Sequence, residues 1–274
     1  MTTLAAPDFD YIAQLVHQRS AIVLEPGKEY LAESRLEGIA RDHGLASVGE
    51  LVTHMRNGKL DLSDAVVDAM TTNETSFFRD AHPFTAFRDT VLPELVEARR
   101  VARAITIWCG ASSSGQEPYS IAMIIREHFP ELATWQVRII ATDISPSMLQ
   151  RTRDGRFSQL EVNRGLPAPM LVKYFTRDGM HWVVSDDLKR MVSAQYLNLN
   201  ERWPVMPPLD LVFMRNVLIY FDVPTKQQIL AKVRQQLRPD GLLLLGGAET
   251  TMNLDANFER IPHGRSTWYR PTGC

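Results

Sequence analysis

Four short stretches of this sequence carry residue types that do chemistry. The first runs from Trp108 to Ser120, WCGASSSGQEPYS, a set of small residues that ends on an acid, Glu117. Small residues let the backbone approach a ligand closely. A strict G-x-G-x-x-G is absent, and a pyrophosphate favours a helix N-terminus without negative charge. Glu117 would repel a diphosphate and would suit a cationic or amine-bearing ligand. S-adenosylmethionine, with a sulfonium, an ammonium and no phosphate, has that chemistry. The plainer reading is a strand–helix turn whose serines cap the helix.

The second stretch is Ile139-Ile140-Ala141-Thr142-Asp143-Ile144-Ser145, where Asp143 ends an apolar run. An acid at such a point hydrogen-bonds ribose hydroxyls, and it can also serve as the N-cap for Ser145-Pro146. It lies 33 residues beyond Gly110, longer than the ~20 of dinucleotide folds. His128 to Trp135 supplies the extra length. The third stretch, Arg215 to Phe221, places Arg215, Asn216 and Tyr220 after the apolar run Leu209 to Met214. The fourth is Thr71 to Asp80, TTNETSFFRD, whose Phe77 and Phe78 also suit a linker that docks two parts of the chain together.

The elements that must position these stretches divide the chain near residue 72. Residues 8–70 read as four short helices with apolar stripes. Asp8 is the expected cap of the first, Ser47 of the third, and His43-Gly44 stops the second. From residue 104 strands and helices alternate: strands 104–108, 137–142, 209–214 and 242–246, helices 118–128, 146–153 and 224–237. That alternation implies a parallel, doubly wound sheet, whose buried strands read as continuous apolar runs. Ligands then bind outside the carboxyl ends of the strands, where the first three stretches fall. Arg238-Pro239-Asp240-Gly241 reads as a turn, and residues 258–261 and 267–270 as a terminal hairpin. Trp182 to Val184 and Met191 to Leu197 break the alternation and read as short antiparallel strands inserted into the larger fold.

With 30 Lys+Arg against 32 Asp+Glu the formal net charge is -2, and backbone-driven nucleic-acid binding wants a positive excess. The two cysteines, Cys109 and Cys274, form no C-x-x-C, so a reducing compartment is expected and Cys109 reads as packing. The seven histidines are scattered, and no metal is expected. The opening MTTLAAPDFD is acidic and no apolar run approaches a membrane span, so no targeting segment and no membrane insertion are expected.

In this order the motifs resemble the chemotaxis receptor methyltransferase family, CheR. Its pattern is T-x-N-x-T-x-F-F-R, a small-residue turn ending G-x-E-P-Y-S, then A-T-D-I-S, N-L and R-N-V-x-I-Y-F. They stand here as Thr71 to Arg79, Gly115 to Ser120, Ala141 to Ser145, Asn198-Leu199 and Arg215 to Phe221. Gln116 departs from the usual acid. The resemblance implies an α/β fold: a Rossmann-like, seven-stranded S-adenosylmethionine-dependent methyltransferase sheet with one antiparallel strand. The expected divisions are an N-terminal all-α domain (1–72), a linker and connecting helix (73–103), and a methyltransferase domain (104–274). The last carries an inserted antiparallel β-subdomain at about 174–196.

Residue by residue, the resemblance implies that Asn73, Thr75 and Arg79 line the methionine end of the cofactor. It implies that Glu117 holds the amino group and Asp143 the ribose. Asn198 and Leu199 lie near the adenine, Asn216 makes a further contact, and Arg215 is in or just behind the site. Arg79 and Tyr220 stand near the transferred methyl and are the expected catalytic residues. The implied reaction is cytoplasmic O-methylation of glutamate side chains on chemoreceptors, giving γ-methyl esters and S-adenosylhomocysteine. In some members the β-subdomain grips a receptor C-terminal peptide; the alternative here is a lid or flap. The family's second helix is often strongly basic and docks on the receptor. Here Arg19, Lys28, Arg35 and Arg41 are the candidates, interleaved with Glu29, Glu33, Glu37 and Asp42. Three other readings carry less of the pattern. A nicotinamide dehydrogenase lacks its glycines, and a nucleic-acid methyltransferase lacks its charge and N/D-P-P-Y/F motif. A non-catalytic binding module would not need Arg79 and Tyr220.

Overall fold

The computed structural model describes residues 4–273; Cys274 lies outside them. Four helices come first: α1 (Ala6–Ser20), α2 (Glu29–Asp42), α3 (Val48–Arg56) and α4 (Ser63–Met70). They pack around Phe9, Ile12, Val16, Leu36, Leu51, Val52 and Val66, a core of their own. The Ser47 side chain accepts from Glu50 N–H and caps α3. Asp8 does not cap α1. That helix starts two residues earlier, with Pro7 in its first turn and Ala5 at the N-cap. Asp8 instead pairs with Arg56 at 3.2 Å.

Two short helices, α5 (His82–Ala86) and α6 (Leu92–Ala98), lead into the α/β part. It begins β1 (Ala104–Gly110), α7 (Gln116–His128), β2 (Gln136–Asp143) and α8 (Pro146–Asp154). Next come β3 (Arg156–Ser158), α9 (Gln159–Asn163), α10 (Ala168–Tyr174), β4 (Phe175–Asp178), β5 (His181–Val184) and α11 (Asp186–Lys189). The chain ends through β6 (Val192–Tyr196), β7 (Leu209–Met214), α12 (Val223–Gln236), β8 (Leu237–Leu245), β9 (Phe258–His263) and β10 (Ser266–Pro271). Seven strands form one sheet in the order β6-β2-β1-β7-β8-β10-β9. The first five run parallel, and β10 runs antiparallel to both its neighbours.

Strand alternation sends side chains to opposite faces. Ile105, Ile107, Leu211, Phe213, Leu242 and Leu244 face a core with α7. Trp108, Val212, Met214, Leu243 and Leu245 face a second core with α12. Asp210, the second residue of buried β7, is compensated by Arg99 Nε and Arg238 Nε at 2.6 and 3.1 Å and by the Thr106 N–H that donates to it.

Three sequence expectations need correction. Val192 to Tyr196 belongs to the large sheet, paired with β2, and not to the inserted piece. The small sheet is β3-β5-β4, so it begins near Arg156 and ends before β6 rather than spanning 174–196. Arg238 to Gly241 lies inside β8, where a register irregularity against β7 absorbs the turn-forming residues.

Phe77 fixes the linker. Its ring meets Phe157 and Phe175 edge-on at 5.0 and 5.7 Å, and Phe78 meets Phe84 at 5.5 Å. Gly165 makes that seat possible. It has φ +86°, and a Cβ there would fall 2.0 Å from the Phe77 carbonyl oxygen.

Candidate active site

The carboxyl ends of β1, β2 and β7 open onto one cavity, with about 910 Å³ of empty space counting its open mouth. Its lining includes Asn73, Thr75, Arg79, Glu117, Asp143, Asn198, Leu199, Arg215, Asn216 and Tyr220. All ten residues expected at a cofactor or catalytic position thus face the same space.

Each is placed by local structure. The turn after β1 carries Ala111 at φ 54° and Ser113 at φ 51°, left-handed positions that only strong surroundings hold. Asp143 supplies part of that hold. One of its oxygens accepts Ser113 N–H at 2.8 Å and the other Ser145 N–H at 2.9 Å. Ser145, not Asp143, caps α8 through its own hydroxyl. Each carboxylate oxygen has two lone pairs, so Asp143 keeps acceptor capacity for a diol. Burial pushes its pKa up, and the two N–H groups oppose the shift.

Glu117 sits in the first turn of α7 and is buried, which raises its pKa; the Arg215 guanidinium works against that. Arg215 donates to Glu117 Oε2 at 2.9 Å, to Asp80 Oδ2 at 2.7 Å and to the Arg79 carbonyl at 3.0 Å. It also stacks on Phe84, with 5.6 Å to the ring centroid. Its side chain is only 2% exposed. Arg215 is therefore a positioning residue in the cavity wall, tying the Arg79–Asp80 corner to Glu117.

Asn216 has φ 58°. The loop that carries it is gripped by Glu249, a residue the sequence did not single out. Glu249 accepts N–H groups from Asn216, Val217, Leu218, Ile219 and Gly246 at 2.7–3.4 Å. No local motif announces it, because the acid lies 33 residues beyond Asn216 in sequence.

Asn198 has its side chain engaged elsewhere. Its amide donates to the Arg19 carbonyl at 2.7 Å and to Glu201 at 3.0 Å, and its oxygen accepts Asn200 N–H. Val23 N–H donates to the Tyr220 carbonyl at 2.9 Å. The segment after α1 thereby reaches the α/β part, and its Ser20 and Ile22 complete the cavity wall. No residue pattern marks this approach, because the bend rests on Ala21 at φ 60°.

The four candidate docking residues differ. Lys28 lies 3.1 Å from Glu25, Arg19 lies 4.0 Å from Asp64, and Arg41 is exposed without a partner among the described residues. Arg35 turns inward. It donates to the Met70 carbonyl at 2.8 Å, the Thr71 carbonyl at 2.9 Å and the Thr72 hydroxyl at 3.3 Å. It thus satisfies the last carbonyls of α4 and sets the exit of the loop that bears Asn73, Thr75 and Arg79. Arg35→Ala is expected to weaken S-adenosylhomocysteine binding about tenfold, the loss of one charged hydrogen-bond set. Calorimetry checks this, and a change confined to the acceptor KM would return Arg35 to docking.

The site fits S-adenosylmethionine. Ser112 Oγ and Asn216 Oδ1 are buried on its wall without partners among the described residues, and such orphans ask for a ligand. Glu117 offers a carboxylate to an ammonium, and Asp143 one to ribose hydroxyls. Asp143→Ala is expected to weaken cofactor binding by roughly 10- to 100-fold, the cost of about 1.5–3 kcal/mol for hydrogen bonds to a charged group. Unaltered affinity by calorimetry would remove the ribose role.

The sheet order, the single antiparallel strand and a cavity of this composition define a Rossmann-like, S-adenosylmethionine-dependent methyltransferase. Residues 7–71 match the model of the CheR methyltransferase all-alpha domain, and residues 73–266 that of the CheR methyltransferase SAM binding domain. The chain belongs to the CheR methyltransferase family. It is 39% identical to "Chemotaxis protein methyltransferase 1" of Pseudomonas aeruginosa, covering 97% of this chain and 98% of that one. It is 40% identical to "Chemotaxis protein methyltransferase" of Vibrio parahaemolyticus, covering 95% and 96%. Among solved structures, a glycopeptide N-methyltransferase, MtfA, complexed with sinefungin is similar at TM-score 0.39 and 15% identity, over 71% of this chain and 65% of that one. No helix among the described residues is long and apolar enough to cross a membrane.

Proposed function

We propose that this chain methylates glutamate side chains on the cytoplasmic helices of chemoreceptors, giving γ-methyl esters and S-adenosylhomocysteine in chemotaxis adaptation, and that it works in the cytoplasm. The observation that carries this reading is Arg79. It lines the cofactor cavity, and its guanidinium donates only to the Glu74 carbonyl at 3.1 Å among the described residues. A half-buried cation at that point suits an anionic acceptor.

The cofactor supplies an electrophilic methyl group when bound. Glu117, Asp143 and Asn216 hold it in place; Arg79 pairs with the incoming carboxylate, and Tyr220 orients it by a hydrogen bond. A glutamate has a pKa of roughly 4.3 and is ionised near neutrality, so no strong base is required. The catalytic gain then rests on alignment, which can contribute ~7–11 kcal/mol. In the small sheet, β3 and β4 are the edge strands, and a receptor C-terminal peptide would bind by adding a strand there.

The test is transfer of labelled methyl groups to receptor cytoplasmic fragments, scored as methanol released by base. Base-labile label on glutamate is the expected result. Cofactor binding without any labile product on any receptor would instead support a binding module.

A further inference from the structure

A second cavity lies beside the first, also at the carboxyl end of the sheet. Asp80, His82, Gly246, Glu249, Met252, Arg260 and Arg265 are among its lining residues. A thin wall separates the two. Arg79 faces the first and Asp80 the second. Asn216 faces the first, while Glu249, which holds its N–H, faces the second. The wall admits no bulk, since a Cβ on Gly246 would fall 2.8 Å from Asn216 N. It is also built from unusual backbone. Phe78, Asp80, Ala81 and Asn216 all have φ between 46° and 68°, conformations that persist only where surroundings enforce them.

The charges of this second cavity do not cancel. Both its acids are occupied: Asp80 by Arg215, and Glu249 by five backbone N–H groups. Arg260 and Arg265 are exposed, and no carboxylate among the described residues lies within ion-pair distance of either or of His82. By contrast, three of the four basic residues expected to dock a receptor on the helical domain are near an acid or bonded to carbonyls. A chain of net charge -2 therefore keeps a local positive surface in the cavity lined by Asp80, the residue next to Arg79.

We infer that the second cavity is an acceptor subsite. Arg260 and Arg265 hold an acidic side chain of the acceptor helix that flanks the glutamate presented to Arg79. This rests on the glutamate-methylation reading. Residues three or four apart share one helix face, so an acid at that spacing reaches the second cavity while the target occupies the first. The subsite selects glutamates with an acidic neighbour.

The experiment uses the full chain and a receptor cytoplasmic fragment that the parent protein methylates. If the parent methylates no receptor fragment, the functional reading itself fails, separately from the subsite. Given parent activity, Arg260→Glu/Arg265→Glu is expected to raise the acceptor KM at least tenfold, with S-adenosylhomocysteine affinity and melting temperature unchanged. Its KM should also lose most of its dependence on salt. Arg260→Lys/Arg265→Lys should recover most of the loss. An unchanged KM would overturn the inference. So would an equal rise for an acceptor whose flanking acids have been replaced by glutamine, since the arginines would then act on something else.

Discussion

Arg215→Ala is expected to lower the melting temperature by roughly 6–12 °C and to weaken S-adenosylhomocysteine binding by about 100-fold. The guanidinium is almost fully buried, and Glu117 beside it is only 13% exposed. Removing one partner of a buried ion pair leaves an uncompensated charge, at about 3–5 kcal/mol. Asp80 is 44% exposed and can turn to water, which favours the lower end. About 3 kcal/mol gives the stated fall for a chain of this size. The binding loss has a separate cause. Burial already raises the Glu117 pKa, and Arg215 is the chief force against it. Without Arg215 the carboxyl takes up a proton more readily and loses its attraction for an ammonium. Binding in the variant should therefore recover as pH rises. Arg215→Ala combined with Glu117→Gln separates the two effects. The second change should restore stability but not affinity, so the pair will not be additive. Full affinity in Arg215→Ala, measured by calorimetry near neutral pH, would show that Glu117 does not need its partner.

Much of this was legible because the local signals agreed with the fold. β7 reads Leu-Asp-Leu-Val-Phe-Met and is buried throughout, as a central parallel strand should be. Glu117 and Arg215 follow buried strands and Asp143 ends one, so the doubly wound pattern alone brings them to one rim. The misplaced strand shows the limit. β6 is an edge strand with a burial pattern that alternates rather than runs on, and alternation reads equally well as a small antiparallel sheet. Glu249 and the Ser20–Ile22 segment were invisible for another reason. Their roles come from long-range hydrogen bonds to backbone, and backbone groups leave no mark in a sequence. Arg35 shows the same effect with the opposite sign. On a charged helix it looks like a docking residue, yet its partners are the carbonyls of Met70 and Thr71.

Arg79→Ala is expected to lower kcat by roughly 10²- to 10³-fold while S-adenosylhomocysteine affinity stays within about threefold. Its part in holding the cofactor rests on family resemblance, whereas Glu117, Asp143 and Asn216 already provide polar groups around the cavity. Among the described residues Arg79 has one internal hydrogen bond, to a carbonyl that its own loop presents. Its remaining donors are free for an acceptor. Losing one preorganised donor at a reacting group costs about 2.7–4 kcal/mol, which is the stated fall in rate. The opposing effect is real: a cation that grips a carboxylate also lowers its nucleophilicity. Arg79 is half-buried rather than enclosed, and solvent weakens that grip, so orientation outweighs the loss of reactivity. Arg79→Lys keeps the charge but not the planar fork and should fall between the two. Three outcomes distinguish the possibilities. A drop in kcat alone places Arg79 on the acceptor. A parallel loss of cofactor affinity places it on the cofactor. Unchanged turnover, in a variant with parental melting temperature, means that the carboxylate is oriented elsewhere, and Tyr220→Phe then becomes the decisive substitution.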